Sequence, residues 1–205
     1  MKISKLVKRI NNRFHHVTEY ISSDRDETVW IGSQHGIYPL YGIPHLNTSE
    51  QILTLLDIPK VDHSKYNVEP LRQDSSDDIN NALKASTDAL NMVEKLETTI
   101  TRGSNRYIVF GTPDGLQFID TKDIDIAEPS EEYSYYYYNR LIVVKAGLLP
   151  VAVLCCTNPV DEAMLEDARA VFNIITEAFR CKQEAEKVHM EKSPQQMSFD
   201  QFENS

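Results

Sequence analysis

Two runs of apolar residues at helical spacing bracket the β-forming part of this 205-residue chain, and that order limits its fold more than any other feature. Ile79, Leu83, Leu90, Val93, Leu96 and Ile100 follow an acidic cap at Ser75 to Asp78 and end before Gly103, a pattern that predicts one helix. Met164, Leu165, Ala168, Val171, Phe172, Ile175, Ala178, Phe179 and Ala185 predict a long C-terminal helix from about Val160 to past Lys187. Between them, Arg106 to Phe110 and Leu116 to Ile119 flank Thr112, Pro113, Asp114 and Gly115, where proline pre-sets a turn and glycine accepts positive φ. The segments Tyr135 to Lys145 and Pro150 to Thr157 are dense in β-formers and predict a second antiparallel hairpin, central in the sheet. The expected fold class is α+β: an antiparallel sheet packed by amphipathic helices, with both stripes on a shared β-layer.

Upstream, Ile3, Leu6, Val7, Ile10, Phe14, Val17 and Ile21 predict an amphipathic helix over residues 1–22, with Lys2, Lys5, Lys8, Arg9 and Arg13 mostly on its other side. Such a helix either meets a membrane surface or acidic partner, or packs its stripe on the body and leaves its lysines in water. Thr28 to Ser33 and Ile37 to Tyr41 predict a hairpin turned at Gly36, with Pro39 requiring an edge position or an early stop. Asn47, Thr48 and Ser49 offer N-cap oxygens to a short helix ending before Pro59. Lys60 to Ser76 is polar and lacks periodicity, which predicts a long connection and places any sub-domain boundary near 60–76. A single domain over 1–192 and a flexible tail over 193–205 complete the expected organisation.

A formal charge of −10 opposes broad attraction to phosphate backbones, although the first 13 residues hold five of the 21 basic groups and no acid. Direct nucleic-acid contact is therefore not expected. Cys155, Cys156 and Cys181 form an odd, sparse set that fits a reducing compartment, and adjacent Cys155 and Cys156 would face opposite sides of a strand as buried small hydrophobes. The longest apolar run, Leu148 to Cys156, is far too short to span a bilayer, and early lysines interrupt any export signal. A cytoplasmic protein without a membrane span is the expectation.

No catalytic or cofactor signature stands out. The six histidines are scattered without the spacing that presents two ligands to one metal, so neither a metal nor another cofactor is expected. Gly32 to Gly36 reads Gly-Ser-Gln-His-Gly, with serine in the wrong place for a nucleophile turn. An enzyme would need a cleft in which His35 or Cys155 meets a distant acid or base. Among the four tyrosines at 135 to 138, Tyr135 and Tyr137 share one side of a strand, and with His35 they are candidate handles for a small ligand.

In the tail, Gln196, Phe199 and Phe202 follow the spacing Q-x-x-apolar-x-x-aromatic and resemble the sliding-clamp-interacting peptide of replication and repair proteins. Phe199 stands where an aliphatic residue is usual and Glu203 replaces the second aromatic. That resemblance implies a clamp partner. From Ser75 onward, the order helix, hairpin, hairpin, helix is similar to the sensory GAF and PAS folds and to roadblock or longin modules. Three functions follow as expectations: a non-catalytic regulatory or adaptor protein acting through a protein partner or a homodimer, a small-ligand sensor, and a clamp-tethered accessory.

Overall fold

Among the described residues ten strands form one mixed sheet in the order β4-β1-β2-β3-β10-β9-β8-β5-β6-β7. The computed structural model describes residues 1–11, 16–22, 28–43, 46, 48–127, 133–159, 161–170 and 172–173. Met1–Ala168 is one compact unit and Arg169–Ser205 a second, of which residues 169, 170, 172 and 173 are described, all helical. Mixed α+β architecture is thus established. The continuation of the C-terminal helix to Lys187 and the tail beyond residue 192 lie outside the described residues. No helix among the described residues is long and apolar enough to cross a membrane.

The N-terminal helix α1 (Ile3–Asn11) is shorter than its stripe suggested, and His16–Ile21 is strand β1. Leu6 and Ile10 are fully buried on α1, and Val17 is buried on β1. A spacing of four residues suits either one helix face or one strand face, so Val17 and Ile21 extended the helical pattern without being helical. β2 (Val29–Ser33) and β3 (Gly36–Pro39) form the expected hairpin. β3 is interior, but its pairing with β10 (Leu149–Cys155) involves only Gly36 and Ile37, so no sheet neighbour needs an amide from Pro39.

Helix α2 (Ser49–Leu55) opens on a capping box, with the Thr48 side chain and backbone reciprocating those of Gln51. It closes in a Schellman turn: Ile58 N donates to Leu53 O at 3.0 Å and Asp57 N to Thr54 O at 3.0 Å. Asp57 occupies the left-handed position at φ 57°, where glycine has no Cβ penalty. Asp57→Gly should therefore stabilise the protein by about 0.5–1 kcal/mol, read as a higher midpoint in urea with an unchanged slope.

The polar stretch read as a connection holds a 3-10 turn at Lys60–Lys65 and the edge strand β4 (Asn67–Pro70), which runs parallel to β1. Helix α3 (Gln73–Ala85) then ends at a Ser86 cap. The expected helix from 79 to 100 stops there, and Met92–Arg102 is strand β5. β5 pairs with β8 (Tyr133–Tyr138) through Met92 and Val93, and with β6 (Asn105–Thr112) along its length with a register shift between Lys95 and Thr99. That irregularity places Val93 and Leu96, of opposite parity, both in buried positions. Gly103, expected as a helix stop, instead turns β5 into β6 at φ 58°.

β6 and β7 (Gly115–Asp120) form the expected Pro-Asp-Gly hairpin, followed by the single turn α4 (Thr121–Ile124). The segment Tyr135 to Lys145 divides into β8 and β9 (Leu141–Ala146) at Asn139 and Arg140, both with positive φ. Together β8, β9 and β10 occupy the middle of the sheet.

Alternation sorts side chains between two cores. Val17, Ile31, Tyr38, Tyr135, Tyr137, Ile142, Val144 and Leu154 join Leu6, Ile10 and α2 in the larger one. Tyr20, Trp30, Ile37, Val143 and Val153 meet Ile79 and Ala82 of α3 in the smaller. Lys145, on the α3 side, is buried; its Nζ donates to Ser86 O at 3.2 Å and lies 5.2 Å from the Tyr136 ring centroid. A cation beneath the last carbonyls of α3 complements the helix dipole and holds its end on the sheet.

Candidate functional site

The sheet face that carries α3 is not fully covered, because the helix reaches only part of it. Beside its first turns lies a groove of about 580 Å³, bounded by β4, α3 and the turns after β2 and β8. Its floor is mainly apolar, from Ile37, Leu141, Val153 and Cys155, with Ile79 and Leu71 on the helix side. Thr18 joins that floor from β1 and is only 7% exposed. Polar groups ring the opening: His16, Gln34, Glu69, Arg72, Ser75, Asp78 and Asn139.

Each wall has a local cause. Leu71 N donates to Glu19 O at 2.7 Å, which keeps the chain against β1 after β4 ends and delivers Arg72 to the rim. Arg72 is the N-cap of α3 and supplies no side-chain cap, so the first turn of the helix opens beside the groove. On the far side, Asn139 Nδ2 donates to Asp78 Oδ1 at 3.3 Å, tying the β8–β9 turn to α3. His16 Nε2 stands 3.9 Å from Glu69 Oε2 across the paired strands β1 and β4.

Burial pushes the Cys155 thiol up to about 11, with the Asp123 charge adding and Arg140 opposing, so at neutral pH it is a thiol and a poor nucleophile. Cys156, on the other face, is pushed up to about 12, first by burial and then by Cys155. Ser33 Oγ accepts from the His35 backbone N at 3.3 Å. Among the described residues no three His, Cys, Asp or Glu side chains are placed to hold a metal ion. No protein-family model, curated protein or solved structure matches this chain. The site must therefore be interpreted from its own residues.

Of the residues singled out from the sequence, Cys155 lines the groove, and the three candidate ligand handles do not. Tyr135 and Tyr137 are buried in the larger core; the Tyr135 ring lies 5.1 Å from Phe110 and the Tyr137 hydroxyl donates to Asp114 Oδ2 at 2.7 Å. Burial, reinforced by the hydrogen bond to Asp114, raises the Tyr137 pKa and keeps it a neutral donor. His35 sits in the β2–β3 turn, where its carbonyl accepts from Cys155 N at 2.9 Å. None of these three lines the groove, although the neighbours Ser33, Gln34 and Gly36 do. Gln196, Phe199 and Phe202 lie outside the described residues. The groove residues Glu69, Arg72 and Ser75 were hidden in a stretch read as a connection, and the Pro70 stop beside the cap-like Ser75 was the only local signal of a wall there.

Proposed function

We propose that this chain is a non-catalytic regulatory protein whose domain senses a small amphipathic ligand in the groove beside α3. One observation carries the reading: a groove of ligand-accommodating volume is lined both by apolar side chains and by polar and charged ones, the combination that small-molecule sites use. The apolar part of the ligand rests on Ile37, Leu141 and Val153, and its polar end meets Arg72, Glu69 and Asp78 at the rim. Thr18, almost entirely enclosed, supplies a hydroxyl for orientation.

The test uses the fluorescent apolar probe anilinonaphthalene sulfonate. Titration of the full chain should show saturable binding that Ser75→Trp weakens, because Ser75 is exposed in the lining and an indole there takes up part of the groove without entering the core. Asp74→Trp, one residue away and outside the lining, should bind the probe as the parent does. Equal binding by the Ser75 variant, or no saturable binding by the parent, would defeat the reading.

Regulatory output through a protein partner has its own support at the β9–β10 turn. Leu148 and Leu149 are 89% and 59% exposed there, beside Tyr41, whose hydroxyl donates to Pro150 O. Protruding apolar side chains of this kind suit burial against another protein.

A further inference from the structure

The stripe of α1 packs on the body, as one of the two alternatives for this helix had it. Leu6 and Ile10 are fully buried in the larger core, so the apolar stripe is spent on the fold and cannot enter a bilayer. What remains outside is a small concavity of about 210 Å³ lined by Lys5, Lys8, Arg9, Lys122 and Asp125.

Its base is an arginine that is 8% exposed. Arg9 Nε and Nη2 are committed to Asp123 at 2.8 Å each, and Nη2 also lies 3.1 Å from Asp120. Burial works against the Arg9 charge, but hydrogen bonding and proximity to Asp123, then Asp120, outweigh it and hold the guanidinium above its usual range. Nη1 makes no hydrogen bond to any described residue, and Arg9 lines the concavity, so the N–H groups of one nitrogen of an enclosed cation are left for a ligand there. Around it, Lys122 Nζ donates to Asn105 at 2.7 Å and keeps further N–H groups, Lys5 is shared with Asp125 at 3.4 Å, and Lys8 is exposed without a partner among the described residues.

We infer that this concavity binds a phosphate group, with Arg9 as its rigid base and Lys8 and Lys122 closing over the oxygens. A tetrahedral dianion suits the arrangement better than a carboxylate: with Nε and Nη2 committed no bidentate edge is free, so recognition falls to Nη1 and to the point charges of the lysines. Lys8 comes from α1 and Lys122 from α4, and the buried Arg9–Asp123 pair holds together the two elements that carry them. In a chain of charge −10, such a local site selects a compact anion over an extended polyanion, which the rest of the surface repels.

The experiment is a thermal-shift titration of the full chain with inorganic phosphate, with chloride holding ionic strength constant. The expected result is a saturable rise in midpoint, with half-saturation moved about tenfold or more by Lys8→Glu or Lys122→Glu. Lys84→Glu, exposed on α3, should leave it unchanged. An equal response to acetate, or equal loss in all three variants, would mean general screening and overturn the assignment. Vesicles containing phosphatidic acid separate the sources of phosphate: the chain should stay in the supernatant, and sedimentation without a response to free phosphate would overturn the site as well. The result is independent of the α3 groove, which shares no residue with it.

Discussion

Arg9→Met should cost about 3–5 kcal/mol, enough to unfold a domain of ordinary stability in mild denaturant. The guanidinium and the carboxylates of Asp120 and Asp123 are each no more than 8% exposed, so removing the cation takes a charge partner from two carboxylates in a medium that solvates them poorly. Methionine matches the arginine stem and keeps the packing, which confines the loss to charge and hydrogen bonding. The Asp123 backbone also accepts from the Tyr38 hydroxyl at 2.7 Å, so the cluster joins α1, α4 and β3. Asp120 has a second task, accepting from Lys122 N at 3.0 Å as the cap of α4. Chemical denaturation of a double-mutant cycle gives the check. Arg9→Met combined with Asp123→Asn should cost clearly less than the sum of the single changes, because both substitutions break the same Arg9–Asp123 pair. Additive costs would show that the stem, and not the ion pair, holds α1 in place.

How far the sequence revealed this architecture depended on how local each signal was. The β6–β7 hairpin and helix α2 were legible because Pro113-Asp114-Gly115 and the Thr48–Gln51 pair each state a turn or cap within four residues. β5 was misread for a physical reason: Leu96 and Ile100 are four apart, which places them together on a helix and also on one face of a strand. The irregularity between Lys95 and Thr99 then let Val93 share their burial, which removed the simple alternation that marks a strand. The β-branched Thr99, Ile100 and Thr101 were the signal that favoured the extended form. At Asn139 and Arg140 no glycine announces the reversal, so two strands read as one. The groove was the least legible part, because it needs β4 beside β1 and α3 across the sheet, contacts between segments more than 40 residues apart. A four-residue edge strand ending in proline leaves almost no periodic pattern to find.

Gly32→Ala should cost roughly 3 kcal/mol or more. A Cβ built at Gly32 falls 2.0 Å from Gly36 O and 2.7 Å from Ile37 Cα, and both obstacles are backbone, so no side-chain rotation relieves them. The comparison with Gly36 is informative: its added Cβ meets Leu154 Cδ2 at 2.7 Å, the tip of a flexible side chain, so Gly36→Ala should cost less. Gly32 is also the middle of a row across the sheet, paired with Thr18 on one side and Ile37 on the other, and both neighbours belong to the groove floor. The methyl group can be accommodated only by separating β2 from β3 near their turn, which moves Ser33, Gln34 and Ile37 away from α3. Denaturant titration should therefore give a low midpoint for Gly32→Ala. At temperatures where that variant stays folded, its affinity for the groove probe should fall although every lining side chain is intact. A variant with parental stability would mean that the β2–β3 turn adjusts freely, and then the turn could not serve as a fixed wall for a ligand.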